Sequence, residues 1–306
     1  MMNNKRYYTF NRFLKEKLGV KVRKVSVTAG FTCPNRDGKV GYGGCTYCHN
    51  PGFTPPGSDG RKSIRAQVEE AKLRLRDGGF RGKFLAYFQA YSNTYAPANT
   101  LRMLYDEALY DDDVVGLAIG TRPDCVPNEV LLLLEEYAEK HHVWVEYGLQ
   151  SANDKTLKHI NRAHDYARFE DAVKRTQNRG IYICAHIILG LPGEDEAQMY
   201  KTVDKLSQLG IDGIKIHHLQ VVKGTVLEEQ YHNGEVGVFS IEDYVSLICN
   251  VIERISPRMV IHRLIGDIRD DLLVAPRWTL SKGEIISCID KELKRRDCYQ
   301  GIGYRG

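Results

Sequence analysis

No apolar run in these 306 residues approaches the ~18 needed to cross a bilayer; the longest is the short stretch around Leu131 to Leu134, which excludes a helical membrane span. The start of the chain, Met-Met-Asn-Asn-Lys-Arg-Tyr-Tyr, lacks the apolar core of a secretory signal, so a cytoplasmic protein is expected. Long biased tracts are missing too, and 42% hydrophobic with 27% charged residues fits an ordered globular chain. Eight cysteines, unevenly spaced and without a signal peptide, argue for metal binding in a reducing compartment over a disulfide framework. No Gly-x-Gly-x-x-Gly follows the first strand-like segment, which weakens a dinucleotide-binding reading.

The net charge of +4 is modest but unevenly placed. Basic side chains crowd the first 26 residues (Lys5, Arg6, Arg12, Lys15, Lys17, Lys21, Arg23, Lys24) against the single acid Glu16, and a second cluster, Lys291, Lys294, Arg295 and Arg296, lies near the end. Brought together by the fold, the two would offer a surface to a phosphate backbone; kept apart, they are two solvated segments.

Short apolar runs alternate with amphipathic stretches. Strands are predicted at Val22–Thr28, Phe84–Gln89, Val115–Thr121, Val143–Gln150, Tyr182–Gly190 and Gly213–Val222. Helices are predicted near 63–77, 97–108, 127–140, 166–179 and 195–209, several closed by glycines such as Gly180 and Gly210. Repeated strand–helix units give a parallel sheet with right-handed crossovers. Six units are too few for a closed eight-fold barrel, so the expected fold is α/β, a partial (βα)6 TIM-like barrel with its site at the carboxyl ends of the strands. After residue 225 the rhythm changes. Helices near 241–255 and 281–296 and a strand at Met259–Leu264 make an α/β extension over 226–306, expected to pack on the barrel of 22–225; a basic segment of 1–21 precedes it.

Cys33, Cys45 and Cys48 sit in a glycine-rich loop after the first strand, spaced Cys-x11-Cys-x2-Cys. Three thiolates are one fewer than a closed tetrahedral zinc site needs, and the chain has one Cys-x2-Cys pair where such sites use two. His49 directly after Cys48 is poorly placed as a fourth ligand. An iron–sulfur cluster on three cysteines would keep one iron open for another ligand. Zinc, or buried cysteines without a ligand, are the competing readings.

With Tyr47 before the third cysteine, the stretch Cys33…Cys45-Thr46-Tyr47-Cys48 resembles the motif of the radical S-adenosylmethionine (SAM) superfamily. The long first gap is similar to the subgroup related to the elongator catalytic subunit. Further stretches agree in order: Gln89 to Thr94, Gly120 to Asp124, Glu146 to Ser151, His159 to His164, and Ile187 to Glu194. Ile216 to Gln220, Val222 to Thr225 and Arg263 to Asp267 resemble the bacterial YtqA/YhcC-like branch, whose YtqA type is associated with wobble-uridine modification of tRNA. The resemblance implies a [4Fe–4S] cluster on Cys33, Cys45 and Cys48, SAM on its open iron, and a 5′-deoxyadenosyl radical as the hydrogen-abstracting species. It also implies tRNA as a partner and an electron donor such as flavodoxin or ferredoxin. The reaction implied is conversion of 5-carboxymethylaminomethyluridine to 5-aminomethyluridine; a small-molecule or protein substrate, or a non-catalytic metal-bearing RNA-binding module, are the alternatives.

Carried onto this chain, the resemblance implies that Tyr47 lies by the adenine, and that Asn93 and Thr94 meet the methionine end of SAM. Gln150 and Ser151 would approach its ribose or methionine, Arg162 would grip its carboxylate, and Gly190, Pro192 and Gly193 would shape a turn near the adenine. Each has a plainer role available: loop packing for Tyr47, helix capping for Asn93, Thr94 and Ser151, a salt bridge for Arg162, an ordinary turn for the glycines. Glu146 and His186 are cofactor or substrate ligands, or polar core residues. Arg122, Asp124, His217, His218 and Lys223 are expected to face substrate, with only one of the two adjacent histidines reaching the cavity. Cys125, Cys184 and Cys249 are expected to be buried small residues, and Cys288 and Cys298 are too far apart to suggest a second cluster. Trp278 would stack on a base or dock a helix.

Overall fold

The computed structural model describes residues 5–53 and 62–306. In chain order the elements are α1 (Phe10–Leu18), β1 (Val22–Val27), α2 (Asn50–Phe53), α3 (Ile64–Asp77), β2 (Lys83–Phe88), α4 (Ala98–Ala108), β3 (Val114–Thr121), α5 (Asn128–Ala138), β4 (His142–Gln150), α6 (Asp154–His159) and α7 (Tyr166–Thr176). Then come β5 (Tyr182–Leu189), α8 (Glu196–Gln208), β6 (Gly213–His218), β7 (Val221–Val222), α9 (Val226–His232), α10 (Ile241–Arg254), β8 (Val260–Arg263), β9 (Leu273–Ala275) and α11 (Lys282–Arg295). Local signals set the boundaries. Gly19, at φ 71°, stops α1, and Asp195 and Ser281 open α8 and α11 with reciprocal capping boxes.

The partial parallel barrel is present. Its strands run β1-β2-β3-β4-β5-β6-β8, all parallel, so Val260–Arg263 adds a seventh strand beside β6. The stretch expected as one strand over Gly213–Val222 divides, and β7 pairs instead with β9 in a small antiparallel ribbon. Alternate residues of each strand serve different layers. Val25, Phe84, Phe88, Leu117, Ile119, Val143, Val145, Ile183, Ile187, Ile214 and Ile216 face the surrounding helices in one continuous core. The inward set is mixed, with apolar residues toward the strand starts and charged ones above them.

Helix α1 closes the amino-terminal end of the barrel. The Phe10 and Phe13 rings both meet Trp144 edge-on at 5.5 Å, and Phe10 lies 4.0 Å from the His262 ring. The Ile261 N–H donates to the Tyr8 carbonyl at 2.8 Å. The two basic ends of the sequence do meet: Lys5 pairs with Asp290, Arg6 with Asp297 at 2.9 Å, and the Tyr8 N–H donates to Gln300 at 2.7 Å. Because α1 packs on strand starts, this basic face lies at the opposite end of the barrel from the cysteine loop.

Candidate functional site

A cavity of about 510 Å³ opens at the carboxyl ends of the strands. Cys33, Cys45, Tyr47 and Cys48 line it from the loop after β1, Gln89 to Ser92 after β2, Gly120 and Thr121 on β3, and Arg122 directly after it. Glu146, Gly148 and Gln150 line it from β4, His186 and Ile188 from β5, Lys215, His217 and His218 from β6, and Arg263 from β8.

The cysteine loop is held from below by the segment after α6. The Thr46 N–H donates to the Ile160 carbonyl at 3.0 Å, and the Asn161 amide donates to Gly44 at 2.8 Å. Asn35, fully buried within the loop, donates to the Asn161 carbonyl at 2.6 Å and lies 3.7 Å from the Cys45 sulfur. Arg36 ties the loop's far end by donating to the Cys48 carbonyl at 2.6 Å. Burial, with Cys45 beside it, pushes the Cys48 thiol up to about 11, so it is protonated until a metal takes it.

As Arg36 is beside Cys48, Arg162 is the cation beside the Cys45 thiol. Its guanidinium is buried, with Nη1 3.5 Å from the Cys45 sulfur and Nη2 donating to the Gly148 carbonyl, while Nε has no partner. Gly148 leaves room for the Arg162 and Gln150 side chains in their present positions, because a Cβ would stand 2.8 Å from both Arg162 Nη2 and Gln150 Nε2 and displace them. Strained backbone clusters around the same mouth: Ala90, Tyr91, Gln150, Asn161 and Ala163 all have positive φ (44°, 62°, 78°, 52° and 57°) without being glycine.

Below the loop lies a network of buried charges centred on Glu146. Its carboxylate bonds Lys24, Lys215 at 3.0 Å and His186 at 2.7 Å, with His262 3.6 Å away. Lys215 also donates to the Tyr87 hydroxyl at 2.7 Å. Although burial opposes it, the attraction of Lys215 and Lys24 holds Glu146 well below the usual carboxylate range. Burial, reinforced by Lys24 and Arg263 against the pull of Glu146, lowers Lys215 to about 7. Burial lowers His186 to about 4, which leaves it neutral near pH 7.

The remaining expected residues divide. Arg122 lines the cavity, but its guanidinium is already gripped by Asp124 through two 2.8 Å bonds and donates to the Arg162 carbonyl at 3.0 Å. Both His217 and His218 line the cavity, where only one was expected. His218 ends β6, and its ring stacks on Trp278 at 4.3 Å and accepts from the Gly266 N–H at 3.3 Å. Trp278 donates to the Phe239 carbonyl at 3.1 Å, the helix-docking role. Asn93 is buried beside the mouth, its amide donating to Ala90 and Gly120 while Oδ1 has no partner. Thr94 bonds Thr121 at 2.6 Å and, with Asp124, faces a separate outer groove. Ser151 caps the chain toward α6, accepting from the Asn153 N–H at 3.0 Å and donating to Glu194. Gly190, at φ 88°, packs where a Cβ would strike the Phe239 ring at 2.6 Å, and Pro192 is buried beside it. Lys223 is exposed and does not line the cavity. Cys125, Cys184, Cys249 and Cys298 are buried, and Cys288 is partly so.

Lys24, Tyr87, Lys215 and Arg263 were missed as site residues. A parallel strand covered on both faces reads as a continuous apolar run, so a lone charge inside one, as in Ile214-Lys215-Ile216, was the available signal.

These features define a class: a partial parallel barrel with three thiols on a loop over its carboxyl-terminal mouth. The thiols suit a multi-iron cluster, since each would sit on its own iron. The family model described as the Radical SAM superfamily matches residues 32–206, and that of the Radical_SAM C-terminal domain matches 211–295. YtqA of Bacillus subtilis is 43% identical over 297 residues, covering 97% of this chain and 92% of that protein. A tRNA uridine(34) acetyltransferase of Methanocaldococcus jannaschii is 29% identical over 180 residues, covering 56% of this chain and 32% of that protein. Among solved structures, the archaeal Methanocaldococcus infernus Elp3 with an N-terminal deletion has the same fold, with a TM-score of 0.69 at 17% identity over 91% of this chain and 64% of that one. The chain belongs to the radical SAM superfamily. It is a radical SAM enzyme, and its cofactors are a [4Fe–4S] cluster and SAM. Among the described residues no helix is long and apolar enough to cross a membrane.

Proposed function

We propose that this enzyme modifies tRNA, converting 5-carboxymethylaminomethyluridine to 5-aminomethyluridine at the wobble position. The carboxymethyl carbon is oxidised by two electrons, with SAM (consumed to methionine and 5′-deoxyadenosine) as the oxidant, and water hydrolyses the resulting C=N bond so that the group leaves as glyoxylate. The observation that carries this reading is the cavity itself: three thiols at its mouth and a lining rich in cations, in a chain that is similar over 56% of its length to an enzyme named for tRNA uridine 34. The cluster and SAM together supply a hydrogen-abstracting radical by one-electron reductive cleavage.

The chain's own residues hold and orient. Cys33, Cys45 and Cys48 hold the cluster. Arg162 would grip the SAM carboxylate, its unpartnered Nε being the free edge of the fork. Asn93 would accept from the SAM amino group through its unpartnered Oδ1, while Tyr47 and Gln150 bound the same space. Thr94, Ser151, Gly190 and Pro192 act one step back, fixing the loops that carry those contacts. In this reading residues 22–225 are the catalytic unit, 226–306 complete its sheet, and 1–21 close its base. A tRNA whose base enters the cavity meets the rim around the cysteine loop, not the basic face beside α1. A flavodoxin or ferredoxin supplies the electron.

Mass spectrometry of tRNA nucleosides from cells with and without the protein tests the assignment. Accumulation of the carboxymethylated nucleoside in the deletion strain is expected; an unchanged profile refutes the tRNA substrate and leaves the enzyme class intact.

A further inference from the structure

The floor of the cavity carries more positive charge than the chain neutralises. One rung of the sheet reads Gly148, His186, Lys215 and Arg263 across β4, β5, β6 and β8. The register shifts between Ile214 and Lys215, and this irregularity brings two consecutive residues inward. His262 meets Trp144, 4.4 Å away, and Arg263 lines the cavity.

The groups facing this floor come from six strands. Lys24 lies on β1, Tyr87 on β2, Glu146 on β4, His186 on β5, Lys215 and His217 on β6, and His262 and Arg263 on β8. Three basic side chains, Lys24, Lys215 and Arg263, therefore stand against one carboxylate. Glu146 is already shared among Lys24, Lys215 and His186. Asp267, the other carboxylate lining the cavity, pairs with Lys282 at 3.0 Å. Arg263 has no side-chain hydrogen bond or ion pair among the described residues. Lys215 is buried and Arg263 half-buried at the cavity wall, so a ligand of opposite sign would offset the desolvation of the first and pair the second.

We propose that Lys215 and Arg263 form an anion-binding floor that takes a carboxylate of the substrate. On the tRNA reading above, on which this identification of the ligand rests, it is the carboxylate of the modified uridine's side chain. The chemistry fits: a guanidinium fork with an ammonium beside it matches a planar carboxylate, and the product, having lost that group, no longer engages the floor. Product release follows from the same contact that selects the substrate. SAM also carries a carboxylate, so the test separates the two sources.

Full-length, cluster-loaded protein is compared as wild type, Arg263→Gln and Arg263→Lys. Arg263 is chosen because its side chain holds no other part of the fold, and thermal melting confirms that each variant is folded. Dissociation constants are measured for SAM, for tRNA bearing 5-carboxymethylaminomethyluridine, for tRNA bearing 5-aminomethyluridine, and for sarcosine as a free carboxylate probe. Arg263→Gln is expected to weaken the carboxylated tRNA and sarcosine by roughly tenfold or more, with part recovered in Arg263→Lys. SAM and the aminomethyl tRNA should change by less than about twofold. Equal weakening of both tRNAs, weakening of SAM, or no change in any ligand overturns the proposal. Sarcosine binding that depends on Arg263, in a wild type that does not distinguish the two tRNAs, supports the anion floor and removes the wobble-uridine reading. A deletion strain that accumulates the carboxymethylated nucleoside, alongside unchanged affinities in Arg263→Gln, keeps the function and refutes the floor.

Discussion

Replacing Glu146 by Gln removes the only negative charge from a fully buried group while keeping its shape. The wild-type carboxylate serves Lys24, Lys215 and His186 at once, with His262 nearby. Removing one member of a buried ion pair leaves the other charge unbalanced, at a cost of about 3–5 kcal/mol. At about 2–4 °C per kcal/mol for chains of this order of size, the melting temperature should fall by roughly 6–20 °C near pH 6. The pH dependence has a definite sign. Glu146 is depressed in the folded state, so its contribution is present above its unfolded value of about 4.3 and is lost as pH falls below it. Lys215 is lowered to about 7, against about 10.4 when unfolded, so the unfolded chain binds more protons across that window and stability rises with pH there. Without Glu146 the Lys215 ammonium loses the attraction that raises it, so in the variant it gives up its proton below pH 7. The gap between wild type and Glu146→Gln is therefore widest between about pH 5 and 6, narrowing toward acid pH and toward pH 7, above which both proteins change alike. Adding Lys215→Met to the variant should restore part of the loss, because the two sites share one interaction. Differential scanning calorimetry across pH measures all of this. A melting temperature within about 2 °C of wild type near pH 6, or a gap indifferent to pH, refutes the account of the floor as a charge network.

Two further outcomes concern the mouth. Cys33→Ala, Cys45→Ala and Cys48→Ala, each reconstituted without oxygen, should lose iron, acid-labile sulfide and SAM cleavage together while keeping the circular-dichroism spectrum of the fold; a variant that retains four irons and cleaves SAM removes that cysteine from the ligand set. Gly148→Ala places a methyl 2.8 Å from Arg162 and Gln150, so SAM affinity measured by calorimetry should drop by roughly tenfold with the cluster intact, and an unchanged affinity would detach Arg162 from SAM.

Much of the architecture could be read from the chain because apolar periodicity and caps are local. The strand predicted at Tyr182–Gly190 is β5 over Tyr182–Leu189, and the helix predicted at 281–296 is α11, closed at its start by Ser281 and Glu284. The seventh strand of the sheet was less visible, since Met259–Leu264 reads as a strand without saying which neighbour it pairs with. The amino-terminal segment was misleading in another way. Its lysines and arginines drew the eye, whereas Phe10 and Phe13, at helical spacing, carry its packing. At the site, motif residues were legible and their partners were not. Asp124 lies two residues from Arg122 and occupies its guanidinium, while Lys24, Glu146 and Lys215 are separated by up to 191 positions and meet only through the barrel's curl.

The closure of the barrel's base joins residues as far as 292 positions apart. Tyr8 and Thr9 pair with Ile261, and Lys5, Arg6 and Tyr8 are tied to Asp290, Asp297 and Gln300. Helix α1 is therefore synthesised long before its dock on β8 exists, a contact of very high sequence separation. Until then Trp144, His262 and the charged floor remain wet from beneath. A nascent chain stalled short of β8 has its helical outer layer available but no sealed interior, and trimming either tail reopens the same hole.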